Sequence, residues 1–332
     1  MKLIAIIANR LAWLLPTVAG LIAITFLITH VVPSDPAALA AGDAATEEQI
    51  AALRVQLGYD RPLHEQFFSY VSDLARGDLG TSLYTGRDIA SDLNLRLKAT
   101  IELTFVAMLI TVLIGIPLGV TSALRRNQPF DHVVRVLTVS GLAIASFWLA
   151  MMLQLLFAMS LDWVPLNGRV EGFPPRGGTG YFIIDTITAG RFDQLGSVMA
   201  HMVLPVATLA IPATATVVRF VRAGVLEAMQ KNFVLYETAM GFPQSVITWK
   251  YILRNALIST VTQVGLIFGI MLAGAVVVET VFDWPGIGSY AYNAIVLSDY
   301  NAIMAFTIWA GVIFIIVNML VDVLHAIIDP RA

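Results

Sequence analysis

The sequence predicts an all-α membrane protein, and three observations carry the prediction. Of 332 residues, 58% are hydrophobic and only 13% charged, with a mean hydropathy of +0.78; soluble domains carry about 25% charged residues. Six apolar runs, at about 11–32, 103–124, 133–161, 198–218, 258–281 and 303–328, exceed the roughly 18 residues that mark a spanning helix. They are continuous rather than alternating in ten-residue units, which predicts helices and excludes a barrel.

The first run begins within ten residues of Met1. It is too long for a signal-peptide core, and Val31-Val32-Pro33-Ser34-Asp35-Pro36 has no A-x-A cleavage pattern, so a retained helix is expected. An external segment, about 33–98, follows. Thr46-Glu47-Glu48-Gln49 has the form of a capping box and opens a helix that Gly58 ends. Asp60-Arg61-Pro62 starts a second helix with an amphipathic face of Leu63, Phe67, Phe68, Tyr70, Val71 and Leu74. Arg76-Gly77-Asp78-Leu79-Gly80-Thr81-Ser82 is rich in turn residues. A small cap on the bundle and a contact for an extracytoplasmic partner both fit this segment.

The second span carries Gly115-Ile116-Pro117-Leu118-Gly119, which predicts a kink and a close helix–helix approach. Pro205 and Pro212, seven apart on one face of the fourth, either line a pathway or bend the helix round its neighbours. Residues 161–197, with Gly168, Pro174-Pro175 and Gly177-Gly178, read as an irregular external loop.

Six spans place both termini on one side. With that side inside, its segments hold eleven Lys/Arg against five Asp/Glu, and the opposite side nine against eighteen. The short segments 125–135 and 219–254 decide the matter, and both termini are expected in the cytoplasm. Ionisable residues near spans are functional suspects. Glu102 is placed at the outer start of span two, where an acid favours a helix N-terminus. Glu279 closes span five and is followed by Asp283; His30 and His201 lie near the outer boundary. Asp322 and His325, at i and i+3 near the inner end of span six, read as an anchoring pair.

Several chemistries are excluded. There is no G-x-x-x-x-G-K-[ST] to cradle nucleotide phosphates and no H-E-x-x-H for a metal. Gly286-Ile287-Gly288-Ser289 is not a nucleophile elbow, since its serine does not lie between the glycines. Zero cysteines excludes disulfides and thiolate metal sites. The slight net negative charge of −3 gives no sign of nucleic acid. No catalytic residue, metal or bound cofactor is expected in this chain.

The strongest signal is the polar segment at 231–255, KNFVLYETAMGFPQSVITWKYILRN, set between two apolar runs. After a break at Lys231-Asn232, a short helix is predicted over Phe233, Val234, Leu235, Tyr236, Glu237, Thr238, Ala239 and Met240. Gly241 ends it in the left-handed conformation, Phe242 follows, and Pro243 suits the first turn of the next helix. That second helix carries Trp249, Lys250, Arg254 and Asn255 into span five. A short helix at the tip of such a hairpin can dock in a partner's groove and transmit a push.

Through these residues the chain resembles the permease subunits of ATP-binding-cassette (ABC) importers of the dipeptide/oligopeptide/nickel type. The resemblance runs over nearly the whole length: Leu57-Gly58-Tyr59-Asp60-Arg61-Pro62-Leu63, the Arg76–Ser82 stretch, Gly115–Gly119, Leu253-Arg254-Asn255-Ala256-Leu257, Glu279-Thr280-Val281-Phe282-Asp283-Trp284-Pro285-Gly286-Ile287-Gly288 and Asp329-Pro330-Arg331. It implies a single permease domain over 1–332 with a type I importer bundle and a coupling helix, within about 219–256, that docks on an ATPase. Gly241 and Asn255 match the family's spacing of glycine and asparagine; Glu237-Thr238-Ala239 mimics the upstream motif two residues late. The implied partners are a second homologous permease, two ABC ATPase subunits that hold ATP and Mg, an extracytoplasmic solute-binding protein and membrane lipid, in a bacterial inner membrane. Transport would proceed by alternating access, with Glu279, Phe282, Asp283 and Trp284 near the pathway mouth. Relatives carry peptides, nickel chelates, glutathione, opines or oligosaccharides. The rival reading is a self-sufficient, ion-coupled secondary transporter, which would show inverted repeats and mid-span polar sites.

Overall fold

The computed structural model describes residues 2–31, 36–41, 45–56, 58–83, 85–175 and 178–328. Among them the helices run α1 (Lys2–Val31), α2 (Pro36–Ala41), α3 (Glu47–Gln56), α4 (Leu63–Ala75), α5 (Ile89–Leu124), α6 (Pro129–Ala143) and α7 (Ser146–Leu153). A π-helical turn (Gln154–Ser160) follows, then α8 (Phe182–Thr188), α9 (Phe192–Ala228), α10 (Asn232–Ala239) and α11 (Gln244–Val246). After a second π-helical turn (Ile247–Ile252) come α12 (Leu253–Gly274), α13 (Val276–Val281), α14 (Ile287–Val296) and α15 (Tyr300–Ile328). The only β pairing among the described residues is an isolated bridge between Thr81 and Asp88. Leu57, Pro33-Ser34-Asp35, Asp329-Pro330-Arg331 and the side chains of His30, Asp322 and His325 lie outside the described residues.

Local chemistry accounts for the helix starts. Thr46 N donates to Gln49 Oε1 at 2.9 Å and Gln49 N to Thr46 Oγ1 at 3.3 Å, the reciprocal pair of a capping box. Asp88 caps α5 by accepting from Ser91 N at 2.9 Å. Because α5 begins there, Glu102 sits well inside the helix rather than at its N-terminus, and another partner answers its charge.

α5 and α9, of 36 and 37 residues, form the central pair. Their contact is as close as the small residues predicted. A Cβ on Gly115 would stand 2.9 Å from Val217 Cγ1, and one on Gly119 would stand 2.6 Å from Val221 Cβ. At that spacing one methyl group would force the helices apart. α12 and α15 pack beside this pair, and α1 packs on α15.

Of the six expected spans, some are single rods and others are bent. α5, α9 and the Tyr300–Val321 part of α15 are long and apolar enough to cross a membrane as they stand. Pro129–Ala143 with Ser146–Ser160, and Gln244–Leu257 with Thr260–Leu272, bring the number to five if each bent pair is one span. Of α1, the Pro16–Ile28 stretch is apolar among the described residues. The run at 133–161, expected as one span, turns through 103° where Ile144 and Ala145 take extended backbone. Neither residue is proline or glycine, so composition does not mark the break. The loop at 161–197 is more ordered than expected: it contains α8, and α9 begins at Phe192.

Candidate functional site

The hairpin forms at one end of the α5–α9 pair. Lys231 has extended backbone, and α10 starts behind it. At its other end Gly241 takes φ 80°; Gly241 N donates to Thr238 O at 3.0 Å and Phe242 N to Glu237 O at 3.3 Å. These two bonds are a Schellman closure, the reason a glycine stands there. Pro243 precedes α11 with ψ 143°, as a residue just outside a helix does, one position before the expected place.

One face of α10 holds it in place and the other is free. Phe233 and Val234 pack against the core cluster that the Ile247–Ile252 turn shares with the end of α9, and Glu237 is half-buried. Leu235, Tyr236 and Met240 are 75%, 63% and 61% exposed, and Thr238, Ala239, Gly241 and Phe242 are exposed beside them. The Phe242 ring lies 6.0 Å from Tyr251, tying the tip to the return helix. Arg254 and Asn255 are exposed, and Asn255 Nδ2 donates to Tyr251 O at 2.9 Å. The return helix carries a π-helical turn over Ile247–Ile252 that the sequence did not announce. At the hairpin's base, a Cβ on Gly224 would stand 3.1 Å from Ala256 O, so α9 and α12 meet there backbone to backbone.

A second feature braces the same end. Asp131 is fully buried and accepts from Ser122 Oγ at 2.6 Å, Asn127 N at 3.0 Å, and Arg222 Nε and Nη2 at 2.7 and 2.9 Å. The bidentate Arg222 contact locks the α5–α6 elbow to α9. Nothing local in the sequence pairs positions so far apart.

At the opposite end, Glu279, Phe282 and Trp284 are buried and Asp283 alone faces outward. These residues, expected near the pathway mouth, form a packed corner. Glu279 Oε1 accepts from Thr100 Oγ1 at 2.5 Å, and its Oε2 accepts from Gly288 N at 2.6 Å and Ser289 N at 3.1 Å. Those amides belong to the first turn of α14, so the carboxylate of α13 caps the helix that follows it. A Cβ on Gly286 would lie 2.3 Å from the Glu279 carboxyl, which explains that glycine by space rather than conformation. Thr100 Oγ1 also accepts from Ile287 N at 3.0 Å, and Trp284 Nε1 donates to Ala99 O at 3.0 Å. Gly168 N donates to Phe282 O at 2.9 Å, pinning the loop here as well.

Arg169 of that loop, which the sequence did not single out, is buried against the Phe182 ring and pairs with Glu102. Glu102 also accepts from Ile183 N at 2.7 Å. Asp185 holds the loop's turn by accepting from Thr179 N, Thr179 Oγ1 and Gly180 N at 3.1, 2.6 and 2.9 Å. Burial pushes the Asp185 carboxyl up, but these hydrogen bonds outweigh it and leave the group below the usual carboxylate range. Among the described residues no group of His, Asp or Glu could hold a metal ion.

This division, a shaped hairpin at one end and a closed corner at the other, is found in a chain that matches one transporter family along most of its length. The description "Binding-protein-dependent transport system inner membrane component" matches residues 115–332, and that family's N-terminal component matches residues 4–86. The chain belongs to this family. It is 40% identical over 329 residues to the probable D,D-dipeptide transport system permease protein DdpB of Escherichia coli (strain K12), covering 98% of this chain and 97% of that one. It is 38% identical to the dipeptide transport system permease protein DppB of Alkalihalophilus pseudofirmus, covering 99% of each. It is 36% identical to the glutathione transport system permease protein GsiC of Pectobacterium atrosepticum, covering 97% and 96%.

Membership makes this a multi-pass permease component of an ABC importer rather than an enzyme, working in general with ATPase and binding-protein partners. The ion-coupled secondary transporter is set aside on the same ground.

Proposed function

We propose that this chain carries a small peptide-like solute across a bacterial cytoplasmic membrane, paired with a second homologous permease and driven by two ABC ATPase subunits. The dipeptide and glutathione permeases it resembles support the solute class. An extracytoplasmic binding protein delivers the solute, and ATP with Mg is held by the ATPases, not by this chain. The basic segments at 125–135 and 219–254 favour a cytoplasmic hairpin and cytoplasmic termini. α10 is the coupling helix: closure of the ATPases moves it, and the bundle passes between inward- and outward-open states of different solute affinity. Phe233 and Val234 transmit the push inward, while Leu235, Tyr236 and Met240 meet the partner's groove. Arg254 and Asn255 hold the return helix beside it.

The observation that carries this reading is the row of exposed apolar side chains on an anchored short helix. The test is ATP-driven dipeptide uptake in proteoliposomes holding the full complex, with Tyr236→Ala and Leu235→Ala combined. Loss of two such contacts weakens docking by about 2–4 kcal/mol, and uptake falls at least about tenfold with insertion unchanged. Unchanged uptake in that variant refutes the coupling assignment. Gradient-driven uptake by this chain alone refutes the importer.

A further inference from the structure

A cavity of about 320 Å³ lies at the Ile89 end of α5, between the 81–88 loop, α14 and the start of α15. Its polar wall comprises Ser82, Thr85, Arg96, Tyr290, Asn293 and Asp299. The half-buried Arg96 guanidinium makes no hydrogen bond or salt bridge among the described residues; it lies 5.1 Å over the Tyr290 ring. Tyr290 is 6% exposed, and its buried hydroxyl has no hydrogen-bond partner among the described residues. Asp299 is satisfied, accepting from Ser82 Oγ at 2.5 Å and Ala302 N at 3.2 Å. Thr85 Oγ1 already accepts from Arg87 N at 3.3 Å, which leaves its hydroxyl proton to give. Apart from the Asn293 amide, which can give or accept, the uncommitted groups round the cavity are therefore donors, with one cation among them. A buried donor without a partner is costly, and an incoming acceptor relieves that cost.

We propose that this cavity binds the carboxylate of a small zwitterionic solute, with Arg96 as counter-charge and the Tyr290 hydroxyl as a second donor. The choice of solute rests on the peptide-permease reading. The volume falls at the lower end of small-molecule sites, about 300–1,000 Å³, and exceeds what one inserted acidic side chain of a docked protein fills. Ala294 and Leu297 give the cavity an apolar wall for the solute's body. The Asp299 carboxylate stands on the same wall, so a ligand that also carries an ammonium is favoured over a bare phosphate.

The test is calorimetric titration of the full chain in detergent with L-alanyl-L-alanine, its C-terminal amide, inorganic phosphate and short-chain phosphatidylglycerol. Saturable dipeptide binding is expected, about tenfold weaker for the amide and for Arg96→Gln, with Arg96→Lys within about threefold of the unaltered chain. Tyr290→Phe weakens binding about threefold. Equal binding of the amide, unchanged binding in Arg96→Gln, or tighter binding of phosphate or phosphatidylglycerol overturns the proposal, as does absence of saturable dipeptide binding. Should Arg96→Gln fail to fold, the amide comparison and Tyr290→Phe decide. ATP-driven uptake by the assembled complex is scored separately. Intact uptake without dipeptide binding here overturns the cavity assignment alone, whereas no ATP-driven uptake overturns the permease reading and leaves the titration standing.

Discussion

Replacing Glu279 separates a structural cap from a side chain facing an open pathway. Alanine at this position strands three donors: the buried Thr100 hydroxyl, the buried Gly288 amide and the half-buried Ser289 amide. Each stranded donor costs about 1–3 kcal/mol, and the lost side-chain volume adds to it, so Glu279→Ala should destabilise the chain by about 5 kcal/mol. Glutamine has nearly the same shape. With its oxygen towards Gly288 and Ser289 it keeps both amide bonds and fails only the Thr100 hydroxyl, for a loss of about 1–2 kcal/mol. Aspartate is one methylene too short to span both partners and should fall between the two. The assay is the thermal unfolding midpoint of the purified chain in detergent, followed by tryptophan fluorescence, to which Trp284 in the same corner contributes. The expected order is wild type, glutamine, aspartate, alanine. An alanine variant as stable as the glutamine one would falsify the capping role.

Three further outcomes follow from the geometry. Gly241→Ala should cost about 1 kcal/mol through its left-handed backbone, because a Cβ there meets no atom within 4 Å; faster proteolysis between α10 and α11 reads it. Asp131→Ala leaves the Arg222 guanidinium without its bidentate partner and should destabilise by about 2–4 kcal/mol, discounted because Arg222 is 20% exposed; Arg222→Met added to it should recover part of that loss in the same unfolding assay. Asp185 has a depressed folded pKa, so its contribution is full above the ordinary value of 3.8 and declines as pH falls towards the lower folded one. Protection from hydrogen exchange at Thr179 and Gly180, taken relative to the intrinsic rate at each pH, should hold down to about pH 4 and fall below it, and Asp185→Asn should remove that dependence.

What the sequence disclosed followed the range of each interaction. The capping box at Thr46, the break before α10 and the turn at Gly241 depend on neighbours within a few positions, and all were legible. So was the close approach at Gly115 and Gly119, because small residues one helical turn apart state a packing requirement without naming the partner. The Asp131–Arg222 pair, the burial of Arg169 beside Glu102 and the Glu279 cap join residues far apart in sequence, and no local pattern encodes them. Glu279 and Trp284 drew attention as polar and aromatic groups at a span's end. Their inward direction is set by α5, whose Ala99 and Thr100 supply the bonds that turn them in. The bend at Ile144 and Ala145 was hidden for a further reason: both residues are at home in a straight apolar helix.

The α5–α9 contact also has a mechanical consequence. Gly115 and Gly119 mark a tight approach within a contact that runs along most of both rods, and that approach is far from the middle of α5. At 1.5 Å per residue, about 42 Å of helix separates it from Ile89 and about 10 Å from Leu124. A rigid tilt about this approach would move the Ile89 end about four times as far as the end beside the hairpin. A displacement of about 1 Å beside α10 would become about 3 Å at Arg96. Two glycines thus set a gear ratio, and relocating them along the helix would change the stroke without altering any residue that meets a partner.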